Sequence, residues 1–312
     1  MLIFDAHCDT ASEILDRKTI LRKNDCHLDL ERARSSGGWV QVFAAFVKPA
    51  AYRNTELRRT LEIIDNIYLH CEQNGDRMAV CTNTAEIKKA IGENKLAALI
   101  SIEGGEALQG KLSTLRMFYR LGVRSLVLTW NYRNELADGA WEKSSGSGLS
   151  DFGRSVVSEM NRLGMLADVS HISERGFWDV VEISTAPVLA SHSNSKAVCD
   201  HPRNLTDSQF EALKAKRGVT GINLNPYFLN NTESASLDEV ITHIEHFASL
   251  GGEDNIGLGC DFDGIVCTPS EVRGAEDIHR IFERLLSLNY KEEIVKKIAG
   301  ENMLRVYSEV IG

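Results

Sequence analysis

The sequence has no Cys-x-x-Cys pair. Its seven cysteines (Cys8, Cys26, Cys71, Cys81, Cys199, Cys260 and Cys267) are odd in number and scattered. That fits reduced thiols in a cytoplasmic protein better than a disulfide framework, and it gives no zinc-finger site. Positive charge is in deficit: the formal net charge is -9. Neither nucleic acid nor an anionic membrane is therefore an expected partner, since both need clustered Lys and Arg. No apolar run exceeds about ten residues, against the roughly twenty that a membrane-spanning helix needs. A secretion signal needs a basic start and an apolar stretch, but the first residues carry Asp5 and the polar cluster His7 to Thr10. A cytoplasmic location is the expectation. There is no internal repeat, low-complexity run or Pro/Gly/Ser linker to mark a second domain.

What is present is ordinary globular composition, 43% apolar and 25% charged, with a regular alternation of patterns. Short Val/Ile/Leu-rich runs recur at Leu2 to His7, Trp39 to Val47, Leu96 to Ile102, Ser125 to Thr129, Met165 to Val169, Pro187 to Ala190, Val219 to Leu224 and Ile256 to Cys260. Each is followed by a polar residue and then by a longer stretch. Between them, helical spacing covers about 55 to 73, 111 to 121, 150 to 163, 173 to 184, 236 to 250 and 275 to 288. Gly122, Gly164, Gly218 and Gly251-Gly252 stand where helices should stop. Residues 48 to 95 hold more than one helix. Lys143 to Ser150 reads as a flexible loop, and Lys291 to Val310 as a terminal helical pair packed outside. Eight strands apolar on both faces predict a single-domain parallel (β/α)8 TIM-like barrel over 1–312, with a doubly wound open sheet as the alternative.

In such a barrel the chemistry sits at the carboxyl ends of the strands. There the sequence sets His7 and Asp9, then Glu103, Trp130-Asn131, Ser170-His171, Ser191-His192, Asn223 and Asn225, and Asp261 and Asp263. Imidazole with carboxylate is a ligand set for zinc and similar divalent ions, and this rim has enough of both for two. His7-x-Asp9 supplies two ligands from one strand, because alternate residues share a side. Glu103, ending a buried strand before Gly104-Gly105, is a bridging candidate, and the glycines allow close approach. The plainer reading makes Asp9, Ser170 and Ser191 helix N-caps, which explains the serines but not the histidines. The segment Ile256-Gly-Leu-Gly-Cys-Asp261-Phe-Asp263-Gly264 lacks the third glycine of a dinucleotide loop and the other oxygen ligands of a calcium loop. Asp261 is better read as an acid beside a metal centre, orienting a bound water and passing its proton to a leaving amine.

These residues fall in motifs that resemble the membrane dipeptidase (renal dipeptidase) family of zinc peptidases from end to end. The motifs are DAHCDT, SIEGGEAL, LADVSH, VLASHSNSKAVCDHPRNL, IGLGCDFDG and ENMLRV. The resemblance implies a metallo-dipeptidase that cleaves the amide bond of a dipeptide, including one with a D-residue at its carboxyl end, by a hydroxide bridging two zinc ions. It implies that His7, Asp9 and Glu103 bind one zinc and that Glu103 bridges to a second held by His171 and His192. It gives Asp261 the proton transfer and Arg203 the substrate carboxylate, which a guanidinium fork pairs at both oxygens. Two positions depart from the mammalian pattern. Trp130 replaces a histidine, and Asn225 stands where a tyrosine follows an Asn-Phe pair, so both become substrate-binding candidates. The mammalian members are anchored at the cell surface, and no such anchor is expected here. Manganese or cobalt would suit the same ligands. The alternatives are another amidohydrolase-type activity on a small amide or lactone, and a non-catalytic barrel that only binds ligand. Relatives of the first kind commonly begin HxH and bridge through a modified lysine; the second should have lost a ligand or the acid. The expected partner is a small dipeptide, and a homodimer is carried as the assembly.

Overall fold

The computed structural model describes residues 1–34, 37–49, 51–142 and 144–312, so Lys143, the first residue of the expected loop, lies outside the described residues. Nine strands form one parallel sheet: β1 (Ile3–Cys8), β2 (Trp39–Phe46), β3 (Met78–Val80), β4 (Leu96–Glu103), β5 (Val123–Val127), β6 (Leu166–Asp168), β7 (Leu189–Ala190), β8 (Val219–Ile222) and β9 (Ile256–Leu258). The order runs β2-β1-β9-β8-β7-β6-β5-β4-β3, and β2 also pairs with β4 from Val40↔Ala97 to Phe46↔Glu103. That last pairing closes eight strands into a TIM barrel and removes the open-sheet alternative. The ninth, β3, was not expected. It is three residues long and pairs only with the start of β4, up to Val80↔Ala98, below the point where β5 takes over at Ile100↔Val123.

Apolar side chains from strands all round the barrel meet inside it. Phe4, Val40, Leu99, Leu166, Leu189 and Val219 form one buried cluster, which Met303, Val306 and Tyr307 of the helix Asn302–Ile311 join. A side chain at Gly257 would meet Met303, so that helix closes the end of the barrel opposite the strand termini. The outward faces pack on the surrounding helices in a second, larger cluster. Helices Glu56–Gln73, Thr84–Gly92, Leu112–Arg120, Asp151–Leu163, Glu174–Ile183 and Leu237–Ser249 lie between strands as the apolar spacing predicts. The expected helix at 275 to 288 opens as a 3-10 turn, Ala275–Asp277, before His279–Ser287. Helix Asp207–Ala215 was not anticipated, although Thr206 and Gln209 give it a complete capping box.

β6 and β9 stop short of the ends of their apolar runs, whereas β7 starts two residues into its own, and past these ends the hydrogen bonding changes. Beyond Leu189 the amide of Ser191 donates to the Asp168 carboxylate, and that of His192 to the Ser170 hydroxyl, rather than to a neighbouring strand. Cys260 likewise donates to the Asp5 carboxylate. Side chains there share the pairing with the backbone bonds that remain, such as Val169 to Leu189 and Asp261 to His7.

Candidate active site

His7, Asp9, Glu103, His171, His192 and Asp261 converge on one small volume at the carboxyl end of the barrel. Glu103 ends β4 on the inward face that it shares with Ala97, Leu99 and Ser101. His7 gets there by a β-bulge. The pairing Phe4↔Val40 and Asp5↔Gln41 resumes as Cys8↔Phe43, so β1 carries one extra residue. Cys8 then faces outward with Phe43, and His7 faces in. Asp9 is not a strand residue, as alternation along β1 would have it; it is the residue before helix Thr10–Arg17, with φ -98° and ψ 9°.

Glu103 is the hub. Its Oε2 lies 3.2 Å from His7 Nε2 and its Oε1 lies 2.9 Å from His171 Nε2 and 3.9 Å from His192 Nε2. His7 Nε2 is also 3.7 Å from Asp9 Oδ2 and 3.8 Å from Asp261 Oδ1. Three groups are close enough to hold a metal ion: His7, Asp9 and Glu103; Glu103, His171 and His192; and His7, His192 and Asp261. All of these residues are buried.

The hydrogen bonding fits cations in this volume. Nε2 of His171 and Nε2 of His192 face each other at 2.8 Å. The other nitrogen of each ring is already engaged: Nδ1 of His171 lies 2.9 Å from Asn131 Oδ1, and Nδ1 of His192 lies 2.7 Å from the Ser191 hydroxyl. Two lone pairs therefore converge on one point, and the partners behind them hold the rings in that orientation. Among the described residues, both nitrogens of His7 and Oδ1 of Asp9 are buried without a hydrogen-bond partner; the approach of Glu103 to His7 is a contact without hydrogen-bond geometry. Buried polar atoms left this way are costly unless something else binds them.

Charge points the same way. Burial pushes the Asp9 carboxyl up to about 7 and that of Asp261 to about 6, with His7 pulling both back. Burial acts likewise on Glu103, but His7 and His171 outweigh it and hold Glu103 well below its usual range. Burial disfavours the His7 cation too, yet Glu103 and Asp9 keep its pKa well above normal. His171 is driven down to about 3 by burial and by Arg203, and burial drives His192 down as well. Three carboxylates thus share one buried imidazolium and two neutral rings, an arrangement short of positive charge.

Three of the ten non-glycine residues with positive φ among the described residues lie here. His171, Asp261 and Asp263 all have positive φ, at 68°, 60° and 67°, a conformation that costs a non-glycine residue roughly 1 kcal/mol or more and clusters at functional sites. Asp263 holds its loop by accepting from the His27 amide at 2.7 Å and from the Thr10 hydroxyl at 2.5 Å. Gly264 is required: a side chain there would meet Asp9 Oδ2 at 2.2 Å and Asp261 Oδ1 at 2.4 Å. Gly105 leaves room not for substrate but for Leu136, which any Cβ would strike at 2.3 Å.

Above these groups opens a cavity of about 410 Å³, lined by Asp9, Glu103, His171 and Asp261 at the bottom and by Phe46, Trp130, Trp141, Tyr227 and Phe228 at the sides. Trp130 and Asn225 both line it. Arg203 does not; it is buried beside a smaller cavity that shares His171, its guanidinium 5.4 Å from the Phe228 ring and its Nε without a hydrogen-bond partner. Burial lowers its pKa to about 10, which leaves it charged. Asn131, Asp168 and Asn223, whose Nδ2 donates to Asp261 Oδ2 at 2.9 Å, are the supporting residues that sequence reasoning left without a role. Asn131 and Asn223 stand at strand ends, and that position was the available signal.

Sequence comparison decides what kind of barrel this is. Residues 1–311 match the model of the membrane dipeptidase family, peptidase family M19. The chain belongs to that family. The M19 protein is 34% identical over 297 residues to dipeptidase tcpJ of Claviceps purpurea (strain 20.1), covering 91% of this chain and 69% of the relative. Among solved structures it is similar to dipeptidase AC, a metallopeptidase of the same family, with a TM-score of 0.94 and 29% identity, covering 100% of this chain and 99% of the other. It is also similar to a metallopeptidase from Rhodobacter sphaeroides bound to a phosphinate mimic of the dipeptide L-Ala-D-Ala (TM-score 0.92, 28% identity, 99% of each chain). This M19 chain is a metallo-dipeptidase.

Proposed function

We propose that the enzyme hydrolyses dipeptides, including those with a D-residue at the carboxyl end, using two zinc ions. His7, Asp9 and Glu103 would hold one ion and Glu103, His171 and His192 the other. The observation that carries this reading is Glu103 itself, whose two oxygens face separate ligand groups, Oε2 toward His7 and Oε1 toward His171. When bound, the ions supply an acidified water and a Lewis acid for the scissile carbonyl.

The chain's own residues do the rest. Asp261, held by Asn223, takes up a proton from the attacking water and passes it to the leaving amine; a carboxyl raised toward neutrality suits both halves of that task. Arg203 pairs the free carboxylate of the substrate, which restricts the enzyme to short peptides. It lies beneath Phe228, so the substrate's carboxyl end would enter between that ring and His171. Trp130 and Asn225 contact the remainder of the substrate in the cavity. The complex of the Rhodobacter sphaeroides relative supports the D-residue at the carboxyl end. No helix of the described residues is long and apolar enough to cross a membrane; we place the enzyme in the cytoplasm, as a homodimer.

Metal analysis with a dipeptide assay tests this. Two zinc per chain and faster turnover of L-Ala-D-Ala than of L-Ala-D-Ala-L-Ala are expected. A single ion at full activity would overturn the two-ion reading, and equal turnover of the tripeptide would overturn the role of Arg203.

A further inference from the structure

Two buried aspartates that take no part in this chemistry stand directly behind the ligands. Asp168 ends β6, and its Oδ1 accepts two backbone amides at once, from Ser170 at 2.9 Å and from Ser191 at 3.0 Å. Those are the residues immediately before His171 and His192. Asp5 does the equivalent on the other side. Its Oδ1 accepts from the amide of Cys260 at 2.8 Å and is 3.4 Å from that of His7, while its Oδ2 accepts from Gln41 Nε2 at 3.1 Å. Cys260 immediately precedes Asp261, and His7 is the residue that the bulge turns inward. Both aspartates are fully or almost fully buried.

At both places the regular ladder has ended. The register of β6 with β7 stops at Asp168↔Leu189, and that of β1 with β9 is the single pair Asp5↔Leu258. Without the shared acceptor, the gap would rest on fewer bonds: the His192 amide to the Ser170 hydroxyl at 3.0 Å on one side, and the Asp261 amide to the His7 carbonyl at 3.1 Å on the other. One oxygen bonded to both amides sets that gap directly. It does so within the tolerance of a charge-assisted hydrogen bond, a few tenths of an ångström. A metal site needs ligand atoms placed to about that precision.

We infer that Asp168 and Asp5 are positioning residues, each helping to fix the spacing of one pair of site residues: Asp168 that of the ligands His171 and His192, Asp5 that of the ligand His7 and the acid Asp261. The inference rests on the two-ion reading. It requires that the two aspartates act on different ions, since Asp168 touches only the strand ends of one group and Asp5 only those of the other. A merely structural role would weaken both ions together with the fold.

The test is stepwise zinc titration of the metal-free full chain against a competing chelator. His192→Ala and Asp9→Ala serve as references for which step belongs to which ion. Asp168→Ala should weaken, by tenfold or more, the step that His192→Ala removes, and leave the other within threefold. Asp5→Ala should do the reverse. Asp168→Asn and Asp5→Asn keep the accepting oxygen and should restore most of the loss. Should an alanine variant fail to fold, Asp168→Glu or Asp5→Glu keeps the charge but moves the oxygen by one methylene, and the same selective loss is expected. Equal weakening of both steps, or no change in either, overturns the inference. A wild-type chain that takes up only one zinc overturns the two-ion reading on which it rests.

Discussion

Asp261 is the side chain on which the proposed proton transfer depends, and although it forms one ligand group with His7 and His192, the two groups that share Glu103 are complete without it. It is held by Asn223 and lies 3.8 Å from His7, while Glu103, His171 and His192 make a ligand group without it. Asp261→Asn should therefore leave zinc content near that of the wild type and lower kcat by at least about a hundredfold. Metal analysis beside steady-state kinetics checks both halves; unchanged kcat would remove Asp261 from the mechanism. His243 is a second residue whose environment makes a definite forecast. Its Nδ1 accepts from the Ser195 amide at 3.1 Å and its Nε2 donates to the Leu229 carbonyl at 3.0 Å, so the neutral ring ties the loop after His192 to the helix Pro226–Asn230. Burial pushes its pKa down to about 4, with His246 adding to the effect. The folded chain then refuses a proton that the unfolded chain accepts below about pH 6.5. Stability from this group is complete above that pH and is lost as the pH falls toward 4, by about 3 kcal/mol. Urea unfolding at pH 7 and pH 5 should show a smaller difference in His243→Gln than in the wild type.

The elements of the barrel divide the site between a fixed floor and a wall that sets preference. The floor comes from strand ends; the wall comes from Phe46, at the end of β2, and from the segments after β5 and β8. Trp130 has its ring 5.4 Å from Phe46 and 6.1 Å from Tyr132, which in turn lies 6.3 Å from Trp141. These rings make an apolar side to the cavity, and among the described residues no Lys or Arg lines it. A large apolar side chain on the substrate would bury itself here. Trp130→Ala should lower kcat/KM for dipeptides carrying phenylalanine by about thirtyfold, the worth of roughly 2 kcal/mol of lost burial, and change that for Gly-containing dipeptides by less than threefold. Equal losses for both would mean that Trp130 acts on the metal site, through His171, rather than on the substrate.

The same division explains what the sequence made legible. Strands buried on both faces write themselves as apolar runs, and the polar residue ending each run lands on the rim, so eight strands and the convergence of His7, Glu103, His171, His192 and Asp261 could be read directly. Asp9 was found for a reason the structure does not share: it arrives on a helix start after a bulge, not by alternation. The ends of β6 and β9 could not be read, because Asp168 and Asp5 take up backbone amides there through contacts between residues up to 255 apart in sequence. Nor could Arg203 be placed. A His-Pro-Arg-Asn segment says that a cation is present, but not that it lies behind His171 and outside the larger cavity.

At the scale of the whole molecule, the proposed ions bear on one end of the barrel and not on the other. Met303, Val306 and Tyr307 close the far end with apolar contacts that owe nothing to charge, and the outer helices are held by their own core. At the rim, Asp9, Glu103 and Asp261 are buried together, and without cations their mutual repulsion is relieved only by taking up protons. Removing zinc should therefore loosen the rim and leave the barrel standing. An ion present at a thousandfold above its dissociation constant stabilises the folded state by about 4 kcal/mol, which in a chain of this size corresponds to several degrees in Tm. The chelated protein should keep its far-ultraviolet circular dichroism, unfold at a lower temperature, and recover stepwise as zinc is returned, Tm rising with the logarithm of free zinc. A Tm indifferent to zinc would mean that the rim is satisfied without it. A chelated chain that lost its secondary structure would mean that the far end cannot hold the barrel alone.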